Sequence, residues 1–314
     1  MRPAVAVTYQ VTLISLAVRI MSLVHTHATR AIPVALSMLF WSTGEAAVCE
    51  DPGTVSYVSA AVVDHGVSVL EPQGTTEQSS QELRILARGR ASLSLGFSHR
   101  YSKFDFTDIE PQTNAHLHTS EFALHWRRGD HRDNVRAAVA PTLSASSNVL
   151  GHPQKYRSDT LQLSLAVVRQ QRISDSLVAR YGLCGDDRFG RYRLYPTAAL
   201  EWRPHPDWEI DLGFPASAIT YRIGDALSSV LRASPDGSEW HVMNRAFDAE
   251  SRFVYESYAI EWLFEFEAGN HLSLVAGIGR QLRNNFEMTL QSGERLSVDS
   301  RPVDRIRAEI RWRF

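Results

Sequence analysis

His116-Leu117-His118 places two imidazoles two residues apart, on one face of any strand that carries them, the simplest arrangement from which a metal pair could grow. No neighbouring Cys, Asp or Glu completes the set, so a solvated pair is the expectation and no metal ligand is assigned. Asp64-His65-Gly66 and the many serines supply the residue types of a Ser-His hydrolase. No G-x-S-x-G turn accompanies them, and such triads are defined by geometry rather than by spacing. Ordinary polar wall residues are the simpler reading; no catalytic residue and no cofactor is expected. Cys49 and Cys184 are too few for a disulfide framework. They could pair in an oxidising compartment, although two unrelated thiols is the plainer account.

The other chemistry-bearing residues are charges at alternate positions: Arg191, Arg193 and Arg203 with Glu201, and Arg305, Arg307, Arg311 and Arg313 with Glu309. Glu209, Asp211, Glu261 and Glu265 supply opposite charge on other segments. If these groups face a shared interior they either pair across strands and fill it, or form an arginine-lined pore that admits anions.

The elements that must position them are strands. In Asp304–Phe314 the residues Ile306, Ala308, Ile310, Trp312 and Phe314 fall on one face, and Arg305, Arg307, Glu309, Arg311 and Arg313 fall on the other. The same period of two recurs in Leu93–Tyr101, Phe122–Trp126, Leu161–Val167, Tyr192–Trp202, Trp208–Phe214, Tyr258–Phe266 and Leu272–Ile278, while no stretch after Val55 has a convincing helical period. Large aromatics gather at strand ends: Tyr101, Phe104, Phe106, Trp126, Trp202, Trp208, Phe264, Phe266, Trp312 and Phe314. A soluble sandwich would favour them in mid-face, whereas a membrane barrel sets them in girdles at its two interfaces. Short turns such as Gly224-Asp225 alternate with longer connections such as Glu71–Ser80, Ser147–Ser158 and Glu287–Val303. These signals predict an all-β, closed, antiparallel up-and-down transmembrane β-barrel of about 14 strands over residues 55–314. A count of 12 stays open, because Phe214-Pro215-Ala216-Ser217 and Ser234-Pro235-Asp236-Gly237 read equally as turns, kinks or bulges.

With 44% hydrophobic and 22% charged residues, the chain is not a helical protein of many spans, but barrel strands conceal their membrane face in just such a composition. The net charge of −2 and the lack of a basic run give no sign of nucleic acid as a partner. Residues 1–47 read as a helical signal segment, with the apolar run Ala31–Trp41 before Gly44-Glu45-Ala46-Ala47; a start at Met21 would have ordinary proportions. Residues 48–54 read as a linker.

The run Tyr195-Pro196 … Leu200-Glu201-Trp202-Arg203-Pro204 … Trp208 … Leu212-Gly213-Phe214-Pro215 … Tyr221-Arg222, with the terminal Trp312-Arg313-Phe314, resembles an uncharacterised group of proteobacterial outer-membrane barrels. The resemblance implies a bacterial outer-membrane location with both termini in the periplasm and contact with outer-membrane lipid and lipopolysaccharide. It also implies recognition of the strand ending at Phe314 by the barrel-assembly machinery. It supplies no substrate. The expected function is non-enzymatic: a channel, transport or structural component for a small solute or lipid. A barrel-wall lipid hydrolase and a secreted soluble β-sandwich are the alternatives.

Overall fold

The computed structural model describes residues 49, 55–71, 74–89, 92–108, 115–130, 133–244, 249–290 and 295–314. The expected signal segment, 1–47, lies outside them. The strand segments are β1 (Tyr57–His65), β2 (Ser68–Glu71), β3 (Thr75–Arg88), β4 (Leu93–Thr107), β5 (Ala115–Gly129), β6 (Asn134–Ser146), β7 (Leu161–Arg172), β8 (Leu177–Asp186) and β9 (Arg193–His205). They continue with β10 (Trp208–Phe214), β11 (Ser217–Arg222), β12 (Leu227–Pro235), β13 (Ser238–Asn244), β14 (Ala249–Ala268), β15 (Leu272–Leu290), β16 (Arg295–Ser300) and β17 (Val303–Arg313). One helical turn, α1 (Ser147–Leu150), lies in the β6–β7 connection.

Each strand pairs antiparallel with the next, and β17 returns to β1 with Tyr57↔Arg313 through His65↔Arg305 in register. Three long strands are interrupted, giving the segment pairs β1/β2, β12/β13 and β16/β17, so the closed ring contains 14 strands. The ring thus has the higher of the two strand counts. Phe214-Pro215-Ala216-Ser217 is the hairpin turn between β10 and β11, and Ser234-Pro235-Asp236-Gly237 is the break between β12 and β13. Several connections are shorter than their polarity suggested, with Thr75–Ser80 and Glu287–Leu290 lying within strands. Strand residues beyond the lipid belt need no apolar face, so their alternation fades while their ladder continues.

The two faces of the ring are chemically opposite. Leu95, Leu194, Ile278 and Ile306 point outward and are 62–64% exposed, whereas Glu265, Glu261 and Arg305 point inward and are 0–3% exposed. A water-soluble fold does the reverse. At the end carrying the chain termini, the exterior bears Trp126, Trp202, Trp208, Phe264, Phe266 and Phe314, each more than a third exposed. Trp208 and Tyr221 stack there with ring centroids 4.7 Å apart. Trp312 shares this end, opposite Leu272 and Val58. Toward the far end the belt gives way to an outward ion pair, Arg280 with Asp304 at 3.5 Å. Outward Tyr101 also lies toward the far end, its hydroxyl 2.5 Å from His116 Nδ1.

The wall is uneven. The β10–β11 hairpin is short: β9 pairs with it only up to Ala198↔Phe214, and β12 only up to Ala233↔Ser217. Beyond that level β13 has left the outer ring. It keeps its pairing with β14 and meets β6 through one parallel bridge, His241↔Ala145. At the far end β13, β14, β15, β16, β2, β3, β4, β5 and β6 therefore close a smaller ring, and the β7–β9 wall stands outside it.

Candidate functional site

The functional feature of a barrel is its lumen, and this one carries layers of ion pairs beneath an aromatic cluster. Nearest the termini, Arg313 meets Glu267 and donates to Ser273 Oγ at 2.8 Å, while Arg203 bridges Glu201 at 2.7 Å and Glu209 at 3.0 Å. One level deeper, Arg311 binds Glu309 at 2.7 Å and approaches Glu265 at 3.5 Å, and Arg307 binds Glu309 at 2.9 Å. Above them Arg305 holds Glu261 at 3.1 Å and Asp236 at 2.7 Å, with Arg232 also on Glu261. Asp236 lies in the β12–β13 break and reaches Arg100 of β4 at 3.4 Å, so a charge chain crosses the interior from wall to wall.

The charges singled out from the sequence occupy two places. Glu201, Arg203, Glu209, Asp211, Glu261, Glu265, Arg305, Arg307, Glu309, Arg311 and Arg313 line the lumen, where Asp211 is the partner of Arg180. Arg191 and Arg193 instead tie the β8–β9 connection and the adjoining end of β9 to Glu287 and Glu256 at the far rim. Each arginine of β17 has a carboxylate partner. An arginine beside its own carboxylate presents little net field to its surroundings.

Above the charge layers, the small ring is packed with aromatics. Trp240 and Phe253 from the tilted β13–β14 hairpin meet Phe104, Tyr255 and Phe286, with Leu70 and Leu117 filling beside them. Phe104 is 0% exposed and Trp240 and Phe253 are 2% exposed, which is core packing rather than pore lining. The Trp240 indole donates to Thr119 Oγ1 at 2.9 Å. The sequence pattern set Phe104 and Phe106 among the strand-end girdle aromatics, but Phe104 is turned inward and buried in this cluster with Phe106 packed against it, because the ring narrows at that level. The other members come from distant strands, and the signal for them in the chain is the apolar alternation Trp240/Val242 and Phe253/Tyr255.

Two connections clasp the hairpin. From the β6–β7 side, Arg157 donates to both Glu250 carboxylate oxygens at 3.1 and 3.2 Å, and His241 meets Asp159 at 3.0 Å. That bond to His241 holds the Asp159 carboxyl below its ordinary value of 3.8. From the β8–β9 side, Asp187 accepts from Ser238 Oγ at 2.7 Å and from the Glu239 amide at 3.1 Å, and Gly237 N donates to Arg188 O at 2.8 Å. Burial raises the Asp187 carboxyl, partly offset by those two donors. Phe189 closes the notch in the wall, stacked 5.6 Å from Phe214 and edge-on to Tyr195 at 5.0 Å.

The lumen between the hairpin and the β5–β8 wall is lined by small residues: Ala123, Ala138, Ala140, Ala166 and Cys184. Cys49 sits among them, with its thiol 3.9 Å from Leu165 O.

The histidines lie elsewhere. His116 and His118 face outward near the far rim; His118 Nε2 is 2.8 Å from Ser147 Oγ, and His99 Nδ1 is 2.9 Å from Ser120 Oγ. Among the described residues no cluster of three His, Cys, Asp or Glu side chains is disposed to hold a metal. His65 is inward and buried, its Nδ1 3.2 Å from Gln78 O.

No known protein-family model matches the chain, and neither does any curated protein sequence. Among solved structures it is similar to an outer membrane channel from Pseudomonas putida F1, at 10% identity and TM-score 0.46 over 87% of this chain and 100% of that one. A KdgM porin in complex with disordered oligogalacturonate gives 8% identity and TM-score 0.39 over 82% and 99%. The Pseudomonas putida toluene transporter TodX gives 8% and 0.37 over 82% and 89%. Likeness at this level carries no information on solute.

Proposed function

We propose that the protein is a bacterial outer-membrane channel for small solutes, with its termini in the periplasm and a lumen that rests in a constricted state. The observation that carries this reading is the inversion of the ring: a continuous apolar exterior edged by aromatics around a charged, ion-paired interior. The resemblance of Tyr195–Tyr221 and the terminal Trp312-Arg313-Phe314 to proteobacterial outer-membrane barrels supports the same compartment. Because the lumen arginines are compensated and the far ring is packed with aromatics, the channel passes little current at rest and selects weakly between anions and cations. Purified protein in planar bilayers is expected to give small unitary conductance steps with near-equal cation and anion permeability. Strong anion selectivity would overturn the compensated lumen, and recovery of folded protein from the soluble fraction without detergent would overturn the membrane reading.

A second reading, lipid hydrolysis at the outer wall, is favoured by the contact of His118 with Ser147 on the outward face. The other ring nitrogen of His118 meets no carboxylate among the described residues, so the orienting acid of a triad is missing. Labelling of Ser147 by a fluorophosphonate would favour this reading, and no labelling would count against it.

A further inference from the structure

Cys49, the one described residue before Val55, packs against inward residues of the barrel wall. Cys49 stands eight residues before Tyr57, which marks the terminal end of the wall, yet its thiol lies beside Leu165 O within β7. Leu165 pairs with Gly185, and Ala166 with Cys184, so the next rung of the same ladder presents the second cysteine of the chain. Cys184 is fully buried and points inward, and its thiol is within hydrogen-bonding reach of Cys49. Both thiols pack in one cluster with Ala123, Ala140, Ala166 and Tyr195. The chain's two cysteines, 135 positions apart, thus meet among the small inward residues of β5–β8.

We propose that Cys49 and Cys184 form a disulfide that ties Cys49 to β8 inside the barrel. Cleavage near Ala46-Ala47, as the signal pattern predicts, leaves Cys49 in the mature chain. The oxidant is a protein disulfide of the exporting compartment, acting by thiol–disulfide exchange. One cysteine thiolate attacks that disulfide and expels one of its sulfurs, giving a mixed disulfide. The second cysteine then attacks its partner's sulfur and expels the other. The two protons lost by the cysteines are balanced by the two thiols that the oxidant gains. Once in place, Cys49 is a poor nucleophile: its contact with the Cys184 thiol and its burial both hold it protonated. Exchange therefore belongs to assembly, before the ring closes around the two thiols, and the finished bond is shielded from reductants outside.

The first arm of the test does not depend on the channel reading. Protein extracted from outer membranes is denatured without reductant in the presence of a maleimide and weighed intact. The expected mass carries no maleimide and lacks two hydrogen atoms relative to the reduced chain; two maleimides per chain would overturn the proposal. The second arm locates the bond. Proteolysis of the unreduced protein is expected to release one peptide pair joined through Cys49 and Cys184 and separated by reductant; either cysteine joined to a second chain or to a small thiol would overturn the proposal.

Discussion

Arg305 shows how much depends on single lumen side chains. It is 3% exposed and serves both Glu261 and Asp236, so its truncation strands two carboxylates in a place water reaches poorly. Removing one member of a buried ion pair costs roughly 3–5 kcal/mol, because the partner's desolvation is no longer offset. Arg305→Ala is therefore expected to lower the denaturant midpoint in detergent by that order, whereas replacing the exposed Arg301 of the Arg301–Glu71 pair should change it by under about 1 kcal/mol. Equal effects of the two changes would contradict the packed lumen. Acid should act on a different residue. The Asp159 carboxyl is depressed by its bond to His241, so its contribution is present above its ordinary value of 3.8 and is lost as pH falls through the lower folded value. The emission of Trp240, taken as the difference between wild type and Trp240→Phe, should hold steady through mild acid and change only below that value. A change centred above it would reverse the sign of the Asp159 term.

Among the elements, the tilted β13–β14 hairpin narrows the far end of the barrel. Its seam with the β8–β9 connection is a backbone contact. A Cβ on Gly237 would lie 2.5 Å from Gly190 N, 2.7 Å from Tyr255 O and 2.8 Å from Arg188 O, none of which a side-chain rotation can clear. Gly190, across the seam, has φ +87°, a conformation glycine adopts without strain. Gly237→Ala is expected to part the seam while leaving the 14-strand ring closed, raising conductance and exposing the chain near Phe189 to protease. Unchanged cleavage and conductance would show that the seam does not hold the hairpin in. Trp240→Ala should loosen the same element from within, at a cost of roughly 3–5 kcal/mol for a buried aromatic.

For the whole molecule the governing quantity is the solvent on each side of the sheet. Ala276 and Ala308 sit opposite one another on the outward face, midway between the Leu272–Trp312 rung and the Arg280–Asp304 pair. An arginine at Ala276 is expected to cost about 2–4 kcal/mol in lipid, as for a mid-belt barrel position. The same substitution should be far milder in a soluble protein with equal exposure. Unfolding midpoints in lipid vesicles, compared with those of a far-rim change such as Ser297→Arg, check this; equal midpoints would deny the belt its lipid.

The amino-acid sequence by itself determined the class of fold, because period-two alternation is a local property: each residue of Asp304–Phe314 declares its side of the wall without reference to any other strand. The separation of oily from charged faces followed from that rule, and the strand count needed only the two proline-containing breaks to be read correctly; Phe104, which alternation alone set among the girdle aromatics, lies instead in the buried inward cluster. What the tertiary structure alone decided are contacts between residues far apart in the chain. The pairing of Arg305 with Asp236, the meeting of Trp240 with Phe104, the bridge from His241 to Ala145 and the approach of Cys49 to Cys184 each join separate strands across a lumen. Alternation says which residues face inward, but not which of them meet. That depends on where the ring narrows, and here it narrows because a short β10–β11 hairpin lets β13 leave the wall.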